Sequence, residues 1–421
     1  MSLKAVVLAA GEGTRLRPIT ETRPKALIPV LCKPLLQWHI EALLGVAEEI
    51  VVVVGYMSDL VVKYLESSGL NSGRIRVVKQ ERLLGTGDAV LEAIKVLDLS
   101  DDVVVTYSDV FIDNWGVFRE ISSIEDNIIV GVRVSNPRDY GVLVSEEGRL
   151  KYIVEKPEQP ETNIVNAGLY KLRVRDIVEN SNVPLSPRGE LELTSIVNNI
   201  ASKKPVRVYE YKGKWIDVGK PWHVIEANKM ALANVVTTIK GRVESPVHIS
   251  GNVVIEEGAE IKPFTVIEGP AYIGRGAVIG PHAYIRPWSV ICQNAKIGFS
   301  VEVKESVVME NVHASHLSYI GDSVVCEGVN LGAGTVLANL RFDEKPVKMM
   351  VKGVLENTGR VKLGSIIGAH VRTGVNVSIM PGVKIGPYSW ILPGSVVYRD
   401  VPSKTIYPPT QYTTVRQEVS E

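Results

Sequence analysis

The sequence predicts an α/β domain over its first half and a parallel β-helix of hexapeptide repeats over its second half. Over residues 1–220, short β-branched runs alternate with helical patterns, which indicates βαβ units around a mostly parallel sheet. From residue 243 onward an aliphatic residue recurs every six positions. That period fits neither an α-helix nor a heptad coiled coil, but it is typical of hexapeptide β-helices.

Four apolar runs in the first half predict strands that are buried on both faces of the sheet. They span residues 3–9, 49–55, 75–80 and 101–109. Helical patterns lie between them over residues 34–46 and 87–97, and a helix over 221–236 would link the two halves. We expect the domain boundaries 1–220, 221–240 for the linker helix, 241–402 for the β-helix, and 403–421 for a tail without an assigned function.

The six-residue pattern is first interrupted by a change of register. Aliphatic residues stand six apart from Val243 to Met309, and the pattern then slips by four before it resumes at Tyr319. His313 and His316 lie in the slip. Because a continuous prism offers only repeating walls, we interpret the slip as the place where an active site opens.

A second break is a loop over residues 338–360, after which the pattern returns at Val361 and runs to Val397. Three hexapeptides make one triangular coil, so the repeats predict a flat-sided prism. A prism with exposed flat faces can bury them by association, and we therefore expect a homotrimer.

Composition and charge narrow the class of protein. The 421 residues carry 47 basic and 47 acidic side chains, so the formal net charge is zero. This balance gives no electrostatic footprint for nucleic acid or for acidic membranes. No run reaches the roughly 18 apolar residues of a membrane span, and nothing at the start resembles a signal peptide. We expect a cytoplasmic protein that acts on small molecules, with neither nucleic acid nor membrane as a partner.

A glycine-rich loop follows the first predicted strand, in the stretch "LAAGEGTRLRPITETRPKALIPV" over residues 8–30. Gly11 and Gly13 would let backbone N–H groups approach phosphate, and Arg15 and Lys25 add positive charge. The loop lacks the Lys-Ser/Thr pair of a P-loop and the third glycine of a dinucleotide fingerprint. It therefore predicts a phosphate site of another kind.

Through about residue 400, the chain resembles the bifunctional sugar-1-phosphate nucleotidylyltransferases that also carry an amino-sugar-phosphate acetyltransferase. The archaeal type is nearest, and bacterial N-acetylglucosamine-1-phosphate uridylyltransferase is similar. Gly-Glu-Gly-Thr-Arg-Leu-x-Pro, Pro-Lys-x-Leu-x-Pro-Val and the later His-Leu-x-Tyr carry the resemblance. It implies an α/β Rossmann-like nucleotidyltransferase domain, then a left-handed parallel β-helix of hexapeptide repeats. It also implies Mg²⁺, acetyl-CoA as acetyl donor, and UTP or dTTP as nucleotidyl donor.

The resemblance implies roles for residues of the first domain. Catalytic charge would come from Lys25 and Arg15, and the metal would be held by Asp109 and Asp217. The nucleotide would be bound by Gly11, Glu12, Gly13, Thr14, Gln80, Gly85 and Thr86. The sugar phosphate would be bound by Gly141, Glu155, Lys156 and Asn166. The segment "RGELELT" over residues 188–194 either supports this pocket or begins a surface helix.

In the second domain the resemblance makes His316 the general base that deprotonates the attacking amine, a task suited to a group titrating near neutrality. The amino-sugar phosphate and the thioester would be contacted by Arg286, Lys304, Tyr319, Asn330, Asn339, Lys345 and Lys348. Ala333 and Ala369 would offer their backbone to acetyl-CoA.

Three alternatives remain open on the sequence alone. The chain could be a monofunctional glucose-1-phosphate thymidylyltransferase or uridylyltransferase with an inert prism, or a non-catalytic regulatory subunit of the same layout. Hexapeptide prisms also support zinc carbonic anhydrases with three histidines at a subunit interface, and His313 and His316 have ligand-like spacing. Gln80 is compatible with uracil and with thymine, so the preferred base stays open.

Overall fold

The computed structural model describes residues 3–70 and 73–408. The chain divides into two compact units. The N-terminal unit comprises Met1–Gly13 and Arg23–Gly219, and the C-terminal unit comprises Thr14–Thr22 and Lys220–Glu421. Within the described part, no helix has the length and apolar character needed to cross a membrane.

The N-terminal unit is built around a nine-stranded mixed sheet in the order β5-β4-β1-β6-β11-β8-β12-β10-β9. The strands are β1 Leu3–Ala9, β2 Pro29–Val30, β3 Lys33–Pro34, β4 Glu49–Val54, β5 Ile75–Lys79, β6 Asp102–Tyr107, β7 Val110–Ile112, β8 Asn127–Arg133, β9 Gly141–Glu146, β10 Arg149–Glu155, β11 Ile164–Arg173, β12 Val206–Tyr211 and β13 Trp215–Asp217. Strands β5, β4, β1 and β6 are parallel, which confirms the four strands predicted from the apolar runs. The burial predicted for all four is wrong for β5, which lies at the edge of the sheet and has no buried residue. Strand β11 runs antiparallel to β6 and β8, whereas β12 runs parallel to β8.

Helices cover both faces of this sheet. Side chains of β1, β4 and β6 alternate between the two faces and pack into two separate apolar clusters, one on each face. The helices are α1 Leu35–Leu43, α2 Ser58–Ser67, α3 Thr86–Ile94, α4 Val117–Ser122, α5 Val174–Glu179 and α6 Leu193–Ala201. Helix α1 lies inside the predicted pattern over 34–46, and α3 begins one residue before the predicted pattern over 87–97. In the C-terminal unit, helix α7 spans His223–Leu232 and falls within the predicted linker.

Three parallel sheets form the repeats of the C-terminal unit, and each sheet collects every third strand of the chain. Sheet I contains Thr238–Ile239, Val253–Ile255, Ala271–Ile273, Ser289–Ile291, Val307–Val308, Val324–Val325, Ile366–Ile367 and Lys384–Ile385. Sheet II contains Arg242–Val243, Glu260–Ile261, Val278–Ile279, Lys296–Phe299, His313–His316, Asn330–Leu331, Arg372–Thr373, Trp390–Ile391 and Ile406–Tyr407. Sheet III contains His248–Ser250, Val266–Glu268, Tyr284–Ile285, Glu302–Lys304, Tyr319–Gly321, Val336–Leu337, Ser378–Ile379 and Val396–Val397.

This pairing is consistent with the β-helix that the hexapeptide period predicts. Aliphatic side chains from all three sheets form one buried cluster, as expected when the recurring residue of each hexapeptide points inward. The strand Ile406–Tyr407 pairs with Trp390–Ile391, although residues 406 and 407 were assigned to the tail. Residues 409–421 of the predicted tail lie outside the described residues.

The interpretation of residues 307–325 as an interruption is wrong. His313–His316 is a strand of sheet II, and the ladders run through it without a break. Paired residues are 18 apart where Val278 faces Lys296, and 17 apart where Lys296 faces His313. Each of two successive coils is therefore one residue shorter than its predecessors, and no strand is lost.

The shortened coils also change which residues face the core. Val308 and Ile320 belong to the buried cluster, where Met309 and Tyr319 were expected. Because a one-residue shift reverses the face of every side chain in a strand, Tyr319 points away from the cluster core.

The break after Leu337 carries local structure of its own. The strands Lys348–Val351 and Val354–Asn357 pair as an antiparallel hairpin in the segment predicted as a loop. Val361, where the pattern was expected to return, is 45% exposed. The parallel sheets resume at Ile366–Ile367, which pairs with Val324–Val325.

Candidate active sites

A lysine and two carboxylates meet at the end of strand β6. Strand β13 pairs antiparallel with β7 so that Asp217 lies opposite Val110, the residue after Asp109. The N–H of Val218 donates to the carbonyl of Asp109 at 2.9 Å. Lys25 Nζ hydrogen-bonds Asp109 Oδ2 and lies 3.5 Å from Asp217 Oδ1. The structure thus brings together three residues that the sequence motifs singled out separately.

The charge state of Lys25 follows from this arrangement. Burial lowers the pKa of its ammonium group, but the carboxylates of Asp109 and Asp217 outweigh burial and leave the pKa raised. Lys25 is therefore a cation at neutral pH. It can neutralise negative charge on a phosphate, and it cannot act as a general base.

The donor set at this position fits a hard divalent cation. Asp109 and Asp217 offer carboxylate oxygens, the ligands that Mg²⁺ prefers. Among the described residues, no group of three or more His, Cys, Asp or Glu side chains is close enough to hold a metal. A cation here would take its other ligands from water and from phosphate oxygens, which is how Mg²⁺ is usually bound.

The side chain of Gln80, 4% exposed, is oriented by two acceptors. Its Nε2 donates to Asp88 Oδ2 at 2.7 Å and to the carbonyl of Gly85 at 3.1 Å. Both amide hydrogens are then used, which leaves Oε1 as an acceptor. An acceptor oxygen suits the N–H of a pyrimidine ring, and it suits uracil and thymine equally.

The loop that precedes α3 is held against the segment that precedes α6. The N–H of Gly87 donates to the carbonyl of Leu191 at 2.8 Å, and the N–H of Leu193 donates to Thr86 Oγ1 at 3.0 Å. Gly85 has a φ of +109°, and a Cβ added there would lie 2.6 Å from the carbonyl oxygen of Leu191. The segment "RGELELT" therefore supports this loop and also leads into a helix.

The four residues predicted to bind sugar phosphate lie on β9–β11. Gly141 faces Glu155 in the ladder between β9 and β10, and a Cβ on Gly141 would lie 3.0 Å from Glu155 Oε1. The N–H of Lys156 donates to the carbonyl of Tyr140 at 3.0 Å. Asn166, on β11, donates through Nδ2 to Tyr170 at 2.5 Å.

The glycine-rich loop spans the division between the two units. Gly11, Glu12 and Gly13 follow β1 in the N-terminal unit, and Gly13 has a φ of +66°. Thr14 and Arg15 begin a short 3₁₀ helix that belongs to the C-terminal unit, and Arg15 is exposed. Their contacts with nucleotide remain predictions.

Sequence reasoning missed the support that His39 gives to this site. His39 is fully buried in α1, and its Nε2 lies 2.8 Å from the carbonyl of Val110, next to Asp109. Its Nδ1 accepts from Thr106 Oγ1 at 3.1 Å. Burial lowers the pKa of His39 to about 4. The neutral ring therefore donates to β7 and fixes that strand; no motif surrounds this histidine, so the sequence held no signal for it.

In the C-terminal unit, polar side chains gather along the outer face of sheet III. Lys304 Nζ lies 2.8 Å from Asp322 Oδ2, and Arg286 Nη1 donates to Glu302 Oε1 at 2.9 Å. The structure places three predicted residues in one hydrogen-bonded group, Lys304, Tyr319 and Asn339, joined through Asp322.

The Tyr319 hydroxyl in this group keeps its proton at neutral pH. Burial raises the pKa of Tyr319, and the nearby carboxylates of Asp322 and Glu302 raise it further. Tyr319 is therefore a hydrogen-bond donor.

His316 ends its strand with an exposed side chain and lies opposite Phe299 in sheet II. Within residues 3–70 and 73–408, its imidazole has no hydrogen-bond partner. His313 starts the same strand, half-buried, and lies between Lys296 and Asn330 in the ladder. The exposed ring of His316 leaves both nitrogens accessible to a ligand.

The other predicted contact residues are more dispersed. Lys345 and Lys348 are exposed on the segment that contains the hairpin, and no described contact joins them to the group around Asp322. The carbonyls of Ala333 and Ala369 accept from Asn376 N and Tyr388 N of the next coil, at 2.8 and 2.9 Å. Their contact with acetyl-CoA remains a prediction.

Comparisons with known proteins cover both units. A family model described as "Nucleotidyl transferase" matches residues 4–234, and a model described as "GMPPB C-terminal domain" matches residues 267–354. The chain is 49% identical over 403 residues to a "Bifunctional sugar-1-phosphate nucleotidylyltransferase/acetyltransferase" of Sulfurisphaera tokodaii, covering 95% of this chain and 98% of the relative.

Two methanogen relatives are similar over comparable lengths. A "Bifunctional protein GlmU" of Methanocaldococcus jannaschii is 42% identical over 408 residues, covering 96% of this chain and 97% of the relative. A protein of the same name from Methanococcus maripaludis is 42% identical over 404 residues, covering 95% of each chain. Each alignment therefore runs through both the nucleotidyl-transferase region and the repeats.

Proposed function

The chain belongs to the bifunctional sugar-1-phosphate nucleotidylyltransferase/acetyltransferase family, and from that premise we propose how its two units divide the work. The C-terminal unit transfers an acetyl group from acetyl-CoA to glucosamine-1-phosphate. The N-terminal unit transfers UMP or dTMP from UTP or dTTP to a sugar 1-phosphate. The observation that carries the proposal is the similarity to bifunctional relatives over 95% of this chain.

In nucleotidylyl transfer a phosphate oxygen of the sugar 1-phosphate attacks the α-phosphorus of the nucleoside triphosphate. A new P–O bond forms, the bond to pyrophosphate breaks, and no covalent enzyme intermediate is needed. The protein contributes alignment and charge neutralisation. Lys25, held as a cation between Asp109 and Asp217, is suited to the negative charge on the phosphates.

The remaining residues of this site bind and orient substrates. Asp109 and Asp217 would hold Mg²⁺, which when bound neutralises phosphate charge and polarises the P–O bonds. Gln80 Oε1 would accept from the base, and Arg15 would contact the triphosphate. Glu155 and Asn166 would orient the sugar next to Gly141 and Lys156.

In acetyl transfer the amine of the amino sugar attacks the thioester carbon of acetyl-CoA. His316 takes the proton from the amine as the C–N bond forms, and that proton can pass to the departing CoA sulfur as the C–S bond breaks. The exposed imidazole of His316 supports this role. Arg286 and Lys304 would offer their cations to the sugar phosphate.

We further propose that the three sheets form a left-handed β-helix and that three chains associate. The handedness rests on the family resemblance, and the every-third-strand pairing supports the helix itself. Phe264, Phe299 and Leu317 are exposed side chains where the chain passes from sheet II to sheet III, with His282 packed between the two phenylalanines. A second copy of the chain would cover this apolar strip. Light scattering of the full chain should give three times the monomer mass, and a monomer that still acetylates would contradict this assembly.

The function is tested by incubating the protein with glucosamine-1-phosphate, acetyl-CoA and either UTP or dTTP, with Mg²⁺ present. Free CoA and pyrophosphate are followed separately. We expect CoA release without any nucleotide, and pyrophosphate release that needs a sugar 1-phosphate. Pyrophosphate release from glucose-1-phosphate with no CoA release from glucosamine-1-phosphate would favour the monofunctional alternative.

A further inference from the structure

Asp322 is a buried carboxylate that no sequence motif pointed to. It follows the strand Tyr319–Gly321, and its side chain is 1% exposed. Its backbone is held by the adjacent coils, because its N–H donates to the carbonyl of Lys304 and its carbonyl accepts from Gly364 N, both at 2.8 Å. Asp322 has a φ of +47°, so the chain turns at this residue. The position of the carboxylate is therefore fixed by the fold.

Three side chains converge on this carboxylate from different coils. Lys304 Nζ lies 3.0 Å from Oδ1 and 2.8 Å from Oδ2. Asn339 Nδ2 lies 2.5 Å from Oδ2, and Arg360 Nη2 lies 3.4 Å from Oδ1. A buried carboxylate is tolerated only when it is paired and hydrogen-bonded, so these contacts also anchor the coils to one another.

The chemistry of Asp322 determines the direction of the hydrogen bonds around it. An ionised carboxylate only accepts hydrogen bonds, so the Asn339 amide must present its NH₂ group to Asp322. The same nitrogen lies 3.0 Å from Tyr319 Oη. The NH₂ group donates its two hydrogens to Asp322 and Tyr319, and the amide oxygen Oδ1 is left as an acceptor for a ligand.

The hydrogen-bond direction at Tyr319 follows from that of Asn339. Because Tyr319 Oη accepts from Asn339, its own hydrogen is not used in that contact and can be donated to another group. Asp322 thus gives the site one defined acceptor, Asn339 Oδ1, and one defined donor, the Tyr319 hydroxyl. It also holds the cation of Lys304 in place.

We propose that Asp322 is the positioning residue of the acetyltransferase site and fixes the polarity of Asn339 and Tyr319 toward the amino-sugar phosphate. The acceptor at Asn339 matches the N–H of the sugar's amine, and the donor at Tyr319 matches an oxygen of the sugar phosphate or thioester. The inference rests on the acetyltransferase function proposed above.

The first test compares Asp322→Asn with Glu305→Gln in the full chain. Glu305 also bonds Arg360, at 2.5 Å, and lies 3.9 Å from Lys304 Nζ, but in the described part of the chain no contact joins it to Asn339 or Tyr319. It therefore serves as a matched control for the loss of one carboxylate next to Arg360. The kcat and KM values are measured for acetyl transfer to glucosamine-1-phosphate. Pyrophosphate release and thermal melting report whether each variant is intact.

We expect Asp322→Asn to lower kcat/KM for glucosamine-1-phosphate by about 10- to 100-fold, because side chains displaced by about 1 Å lose productive geometry. Its KM should rise, since Lys304 loses its anchor. Glu305→Gln should stay within about threefold of wild type, because Lys304 keeps its closer partner Asp322. Equal losses in the two variants, or wild-type kinetics in Asp322→Asn, would overturn the inference.

A double-mutant cycle separates positioning from general stability. If Asp322 acts through Asn339, adding Asp322→Asn to Asn339→Ala should lower kcat by less than about threefold further. Losses that multiply fully would show that Asp322 acts independently of Asn339, against the proposal.

Asn339→Asp provides a test if Asp322→Asn does not fold. This variant keeps an acceptor oxygen at position 339, but a carboxylate cannot donate to Asp322 or Tyr319. We expect a loss as large as that of Asn339→Ala, and near-wild-type kcat would contradict the proposed polarity. A wild-type protein that does not acetylate would refute the proposed function itself, whereas an active wild type with unaffected variants would refute only the role of Asp322.

Discussion

In the N-terminal unit, Lys25 and Asp109 meet across 84 residues of sequence, whereas in the C-terminal unit Lys304 and Asp322 meet across only 18. The first pair is brought together by the order of strands in a mixed sheet, and Asp217 joins it through the pairing of β13 with β7. The second pair is brought together by one turn of the repeat. A periodic chain therefore builds a site from coil neighbours, while a Rossmann-like domain needs its whole topology for the same purpose.

The largest expected effect is the loss of activity at the N-terminal site while the C-terminal site stays active. Asp217→Asn removes one of the two carboxylates beside Lys25, and pyrophosphate release should fall about 1,000-fold, since charge stabilisation of this kind is worth several kcal/mol. Acetyl transfer, measured as CoA release by the same protein, should not change. A parallel fall of both rates in a folded variant would show that the sites are not independent.

The next effect is on stability and concerns the aliphatic side chains that point into the core of the repeats. Ile320 is fully buried, and Ile320→Ala should lower the free energy of unfolding of the C-terminal unit by about 2–5 kcal/mol. Val361→Ala is the control at a position where the six-residue pattern expected an inward residue but the structure has an exposed one, and it should change stability by less than about 0.5 kcal/mol. Urea unfolding of the two variants measures both values. A loss at Val361→Ala as large as that at Ile320→Ala would contradict the observed register.

Ile320 and Val361 show how much of the C-terminal unit could be predicted from the sequence. The period predicted the class of the C-terminal unit, and the β-branched runs predicted the four parallel strands. The six-residue period did not predict that two coils are one residue short, because Met309 and Tyr319 are apolar enough to match the pattern. Only the ladder, with its 17-residue spacing, distinguishes Tyr319 from Ile320.

The candidate sites were predictable to the extent that motifs mark single residues. Lys25, Asp109 and Asp217 were singled out one by one, and the strand pairing that joins them had no sequence signal. Asp322 and His39 were missed because each acts on a neighbour through a side chain whose partners lie elsewhere in the chain. A buried polar residue becomes recognisable only when the groups that it must satisfy are known.

A third effect tests the support beneath Asp109. His39 has a folded pKa of about 4, lowered from 6.5 by burial, so the unfolded chain binds more protons between these values. The stability due to the neutral ring is fully present above pH 6.5 and is lost as the pH falls toward 4. The loss amounts to about 3 kcal/mol.

His39→Gln keeps a side-chain amide donor for the carbonyl of Val110 and removes the titration. Denaturant unfolding of the N-terminal unit between pH 7 and 4 should show a shallower decline for this variant than for wild type. Identical slopes would mean that His39 does not set the acid sensitivity of the unit.

The smallest effect sharpens the description of the loop before α3. Gly85→Ala combines a strained φ of +109° with a Cβ contact of 2.6 Å, and it should cost about 1–3 kcal/mol and raise the KM for the nucleoside triphosphate. Gly148→Ala has a φ of +75° but no atom within 4 Å of its Cβ, so it isolates the strain alone. A stability loss in Gly148→Ala as large as that in Gly85→Ala would show that the contact with Leu191 adds nothing to the strain.

The most direct measurement of the central claim, that one chain carries two separate transferase sites, uses Asp109→Asn and His316→Ala in the same reaction. CoA and pyrophosphate are followed separately, with glucosamine-1-phosphate as the acetyl acceptor and N-acetylglucosamine-1-phosphate as the nucleotidyl acceptor. Asp109→Asn should lose pyrophosphate release and keep CoA release. His316→Ala should lose about 10²- to 10⁴-fold in CoA release, the range of a general base, and keep pyrophosphate release. His316→Ala acetylating at the wild-type rate, or either variant losing both activities while folded, would contradict the account.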